Sequence, residues 1–87
     1  MDSLTFNFRG KEYQALVLAN TSTRPHFYWC YFVDEQLKVK IGCITFKASG
    51  KELSSTNFIS KQFLPLLENL KLSLKKFIEL NERKSSR

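Results

Sequence analysis

One histidine, two cysteines and eight acidic residues are the groups in this chain with acid–base, nucleophilic or metal chemistry to offer. His26 follows Pro25 at the border of an aromatic run, and there is no second histidine to activate a Ser or Cys nucleophile. The carboxylates fall at turns and on the polar side of a helical stretch, so no acid–base pair is assembled by pattern. Two cysteines and one histidine do not close a tetrahedral zinc site, and Cys30 and Cys43 lack the close spacing of a ligand pair. Three scattered glycines form neither a phosphate loop nor a dinucleotide fingerprint. These residues predict a protein that is not an enzyme and that binds no cofactor and no metal.

The elements that must position any site begin with His26 to Val33, His-Phe-Tyr-Trp-Cys-Tyr-Phe-Val. Aromatic and β-branched residues fill it, Arg24-Pro25 precedes it, Asp34-Glu35 follows it, and it is too short for an ordinary helix. A central strand is predicted. Its faces are Phe27, Trp29, Tyr31 and Val33 on one side and Tyr28, Cys30 and Phe32 on the other, both apolar. A small domain with one sheet and one helix covers only one sheet face, so the second aromatic row is a contact or binding surface. Which row meets the helix is left open at this point.

The N-terminus reads as a hairpin: Leu4, Phe6 and Phe8 alternate with Thr5 and Asn7, and Tyr13, Ala15 and Val17 alternate on the return. A two-residue Gly10-Lys11 turn pairs Arg9 with Glu12, Phe8 with Tyr13, Phe6 with Ala15 and Leu4 with Val17. Leu16 and Leu18 then join the uncovered face. Residues 20–25 are a loop by composition. Leu37 to Lys47 reads as a fourth strand whose phase slips at Gly42-Cys43, which a β-bulge explains. The competing reading is one helical turn over Asp34 to Ile41 followed by a short strand, since Leu37 and Ile41 also suit a helix. Ser49-Gly50-Lys51-Glu52 echoes Arg9-Gly10-Lys11-Glu12 and allows a stub of fifth strand at Glu52-Leu53.

From Lys61 to about Arg83 the period becomes helical: Phe63, Leu66, Leu67, Leu70, Leu74 and Phe77, with Ile78 at the margin, form one stripe. Pro65 places the start of the helix just before it, because proline is tolerated only in the first turn. Ser54 to Ser60 is an irregular or one-turn lead-in, and Leu72 stands on the polar side. The predicted fold is therefore α+β: a four-stranded antiparallel meander (near 4–9, 12–19, 26–33 and 37–47) with one long C-terminal helix across one face. Residues 1–84 make a single domain and 85–87 a disordered tail.

Eighty-seven residues bury a little over ~60% of the unfolded surface, so an exposed aromatic face has little stability to spare behind it. A hydrophobic content of 43% excludes a disordered chain, and the longest apolar run, Phe27 to Val33, is far short of a membrane span. The tight connection after Asp34 would pair Val33 with Leu37 and set Lys40 opposite Cys30, so the two cysteines are expected as free thiols. With no signal peptide at Met1-Asp2-Ser3, this predicts a cytoplasmic protein.

Two partner classes follow. The first is a protein partner, most simply a homodimer, held through Leu16, Leu18, Tyr28 and Phe32 on the uncovered face, with Leu72 on the helix as a further contact. The second uses the net charge of +6: single-stranded nucleic acid, with Trp29 stacking bases and Arg9, Lys11, Lys38, Lys40 and Lys47 on phosphates. The order of four antiparallel strands and one long amphipathic helix is similar to the repeat unit of the purine-rich-element-binding and Whirly-type proteins. That resemblance implies single-strand binding and association in pairs or more, with one unit dimerising to build the surface.

Overall fold

Alternation at the N-terminus produces the expected hairpin in the computed structural model, which describes residues 2–50, 52–55 and 59–85, the last four by backbone alone. Strands β1 (Asp2–Phe8) and β2 (Lys11–Asn20) are joined by Arg9 and Gly10, which have φ of +52° and +74°. The pairing is Phe8 with Lys11, Phe6 with Tyr13 and Leu4 with Ala15, two residues away from the expected register. A shift of two keeps every side chain on its face, so alternation alone does not separate the two registers. Two successive positive φ values give a turn whose twist matches the strands. The observed register also stacks Phe6 on Tyr13, with ring centroids 5.8 Å apart, and sets Phe6 edge-on to Phe32 at 5.7 Å.

The chain continues through β3 (His26–Phe32), the short helix α1 (Glu35–Lys40), β4 (Cys43–Ser49), β5 (Glu52–Ser55), one 3-10 turn (Lys61–Phe63) and the long helix α2 (Leu64–Ser85). The five strands are antiparallel neighbours in sequence order. The class is α+β, with a curled sheet and the long helix across it.

Residues 37–47 are not one strand. The Asp34 carboxylate accepts from the Leu37 N–H at 3.1 Å and caps α1, whose last turn delivers the Ile41 and Gly42 N–H groups to the Leu37 carbonyl. Gly42, at φ +83°, turns the chain out of the helix into β4. The phase slip is therefore a helix end rather than a bulge, and Leu37 is buried under it. The stub at Glu52-Leu53 is a full fifth strand, pairing Ala48 with Leu53.

Helix α2 buries Leu66, Leu70 and Leu74 completely, with Leu67, Phe77 and Ile78 packed at the margins. Each full burial contributes about 1.5–3 kcal/mol. Pro65 is the second helical residue, where its absent N–H would have no partner. The Asn69 side chain donates to the Asn7 carbonyl at 2.6 Å and ties the helix to the outer strand β1. The core lies between helix and sheet: Leu4, Phe6, Phe8, Ala15, Val17, Tyr28, Cys30, Phe32, Ile44, Phe46 and Leu53 all point into it. Ser85, the first residue assigned to the tail, still belongs to α2. Residues 86–87, and 56–58 of the expected lead-in, lie outside the described residues. Among the described residues, no helix is long and apolar enough to cross a membrane.

Candidate interaction surface

The side of the sheet away from α2 is built by the alternate residues of each strand. Leu16 lies opposite Tyr31, Leu18 opposite Trp29 and Asn20 opposite Phe27, and on the other flank Phe27 faces Lys47, Trp29 faces Thr45 and Tyr31 faces Cys43. Phe27 and Trp29, two residues apart on one strand, stack with centroids 6.2 Å apart and planes 25° from parallel. Leu18 is 44% exposed and Tyr31 38%, while Leu16, Phe27 and Trp29 are half-buried. Towards β1 the strip ends in Ser3, Thr5 and Asn7, and towards β5 in Lys47 and Ser54. The result is an apolar band, two strands wide, with a polar frame.

The expected contact residues divide. Leu16 and Leu18 stand on this band. Tyr28 and Phe32 do not: they are 5% and 2% exposed, in the row that faces the helix. The row is fixed by the β2–β3 register, in which the small Ala15 lies opposite Phe32, Val17 opposite Cys30 and Ala19 opposite Tyr28. Large residues thus meet small ones beneath the helix, while Trp29 and Tyr31 meet leucines outside. Leu72, 58% exposed, belongs to α2 on the other side of the molecule from the band. Phe27 and Tyr31 complete the band, with Cys43 at its β4 margin, and none of the three is in the expected set. The size complementarity of the inner row is the signal that points to them.

The cations divide as well. Lys47 borders the band and Trp29 lies in it. Arg9 and Lys11 instead cover rings at the hairpin end, with the Arg9 guanidinium 4.8 Å from the Phe8 centroid and the Lys11 ammonium 5.2 Å from that of Tyr13. Phe8 and Tyr13 belong to the helix-facing row, so both cations are drawn to that side. Lys38 and Lys40 ride on α1 rather than on a strand beside Trp29, and Lys38 pairs with Glu35 at 3.7 Å. The cations expected around the aromatics therefore do not surround them.

Both cysteines are free. Burial, and secondarily the neighbouring Cys43, pushes the Cys30 thiol up to about 12. Desolvation raises Cys43 as well, against hydrogen bonds from the Tyr31 side chain and the Cys30 backbone that pull it down. Each is a protonated thiol at neutral pH, a poor nucleophile and a poor metal ligand. Among the described residues, no three His, Cys, Asp or Glu side chains gather as a metal site would require.

The chain matches no protein-family model, no curated protein and no solved structure. Its order of elements, β-β-β-α-β-β-α, also departs from the four-strand-and-helix unit that the topology resembles.

Proposed function

We propose that this chain is a small non-enzymatic interaction module that pairs with a second copy of itself through the outer face of its sheet. The observation that carries the reading is the band of Leu16, Leu18, Phe27, Trp29 and Tyr31 on the side that α2 leaves uncovered. At about 4.8 Å between strands and 3.3 Å per residue, five strands of about seven residues give a face of roughly 24 by 23 Å. Two such faces buried whole, band and polar frame together, come to about 1,100 Å², just above the ~1,000 Å² at which specific interfaces begin. Charge is depleted at the centre of the band, as interface cores require, and the margin carries both signs, Lys47 with Glu12 and Glu52. A twin needs no second complementary surface, because a two-fold contact matches the band with itself. The single-strand reading is less well supported, since of its five cations only Lys47 borders the aromatic band. Two free thiols support a reducing, cytoplasmic setting.

Trp29 is the one tryptophan of the chain and lies in the band, so its emission reports on the contact directly. The expected result is a red shift on dilution from about 100 μM to below 1 μM, the range in which contacts of this size dissociate. Emission independent of concentration contradicts self-association. Steep, salt-sensitive binding of an oligonucleotide would transfer the band to the second partner class.

A further inference from the structure

We propose that the cleft at the far end of the β3–β4 ladder is a binding site for the phosphoryl group of a small phosphate monoester. The cleft has a volume of about 560 Å³ and opens where His26 pairs with Ala48, so that residues of both sheet faces border it. Of the residues that line it, Arg24, His26, Lys47 and Ser49 carry side-chain donors and Tyr28 an aromatic ring, and Gly50 turns the chain past it at φ +63°. Among the described residues that line it there is no carboxylate. Among the described residues the one ion pair is Lys38 with Glu35, at the other end of the sheet, so Arg24 and Lys47 are not engaged in an ion pair within 4 Å, although Glu52 neighbours Lys47 diagonally across the β4–β5 ladder. A guanidinium fork, an ammonium, an imidazole and a hydroxyl around one space match a tetrahedral oxyanion, which offers several acceptor oxygens and up to two negative charges. The volume falls in the range of small-molecule sites and leaves room beyond the phosphoryl group for the rest of the ligand. Of the residues of this site, Lys47 alone also borders the apolar band, and the proposal does not rest on the pairing of that band.

The test is a titration of the isotope-labelled full chain with inorganic phosphate, then adenosine 5′-monophosphate, at constant ionic strength, followed by backbone amide shifts. Saturable shifts confined to residues 24–28 and 47–50 are expected, with a dissociation constant on the order of 1 mM for phosphate and the monoester binding at least as tightly. Arg24→Ala and Lys47→Ala, both at exposed positions, are each expected to weaken binding by about 10-fold or more, while Lys61→Ala leaves it unchanged. Amide spectra of the variants check that each has folded. Shifts spread without saturation over the other lysines would mean an adventitious ion only, and would overturn the proposal. So would unchanged affinity in Arg24→Ala, or phosphate binding that excludes the monoester.

Discussion

Cys30 is fully buried between Val17 on one side and Ile44 on the other, and among the described residues no other ionisable group lies as deep in the core. Its thiol is held at about 12, against 9.0 for an ordinary thiol, first by desolvation and then by Cys43. The folded chain therefore keeps a proton that the unfolded chain releases above pH 9. This contribution is complete below pH 9 and is lost as the pH rises towards about 12. The full difference corresponds to roughly 4 kcal/mol as an upper bound. Urea unfolding is expected to show a midpoint that falls between pH 9 and 11 in the wild type and a flatter profile in Cys30→Ala, from a lower starting point. Equal slopes in the two proteins would mean that another group carries the alkaline transition.

Two turns of near-identical sequence show how elements, rather than local residues, set the geometry. In Arg9-Gly10-Lys11-Glu12 the loop is Arg9-Gly10, because Phe8 pairs with Lys11. In Ser49-Gly50-Lys51-Glu52 the pair is Ser49 with Glu52, so glycine comes first of the two residues between them. What differs is the strand packing on either side, Phe6 against Tyr13 in one hairpin and Ala48 against Leu53 in the other. Gly10 has φ +74° and no atom within 4 Å of an added Cβ, so Gly10→Ala strains the backbone alone. A loss of about 1–2 kcal/mol in urea unfolding is expected, and an unchanged midpoint would mean that the turn has another conformation. The same logic explains what was legible in the residues. Helix α2 was readable because its stripe repeats over several turns. The faces of β1 and β2 were readable from a period of two, but that period is blind to a two-residue shift. Residues 34–41 satisfied both periods at once, Leu37 and Ile41 for a helix and Leu37, Val39 and Ile41 for a strand, and the Asp34 cap decided between them. The parity of Leu16 and Leu18 followed from the hairpin. That of the aromatic strand did not, because residues 21–25 are no fixed turn and leave the β2–β3 register to packing under the helix.

At the scale of the whole molecule, the 22-residue α2 spans about 33 Å and accounts for most of the 39 Å long axis. It covers one face of a five-stranded sheet and leaves the other to solvent or to a partner. The net charge is +6, and among the described residues the cations stand away from the band, on α1, α2, the hairpin end and the loops, with Lys47 at its margin. A uniformly cationic protein of this size would resist self-association, whereas one with an uncharged apolar band has a place where two copies meet. The central claim is that this band is the meeting place, and sedimentation velocity of the wild type beside Leu18→Lys tests it most directly. Leu18 is already 44% exposed, so a lysine there is compatible with the folded monomer, whereas in a closed apolar contact its charge costs several kcal/mol. The account predicts a wild type near twice the 10.2 kDa chain mass at tens of micromolar and a variant at 10.2 kDa with an unchanged urea midpoint. A wild type that sediments at 10.2 kDa at every concentration, or a variant that stays paired, would contradict it.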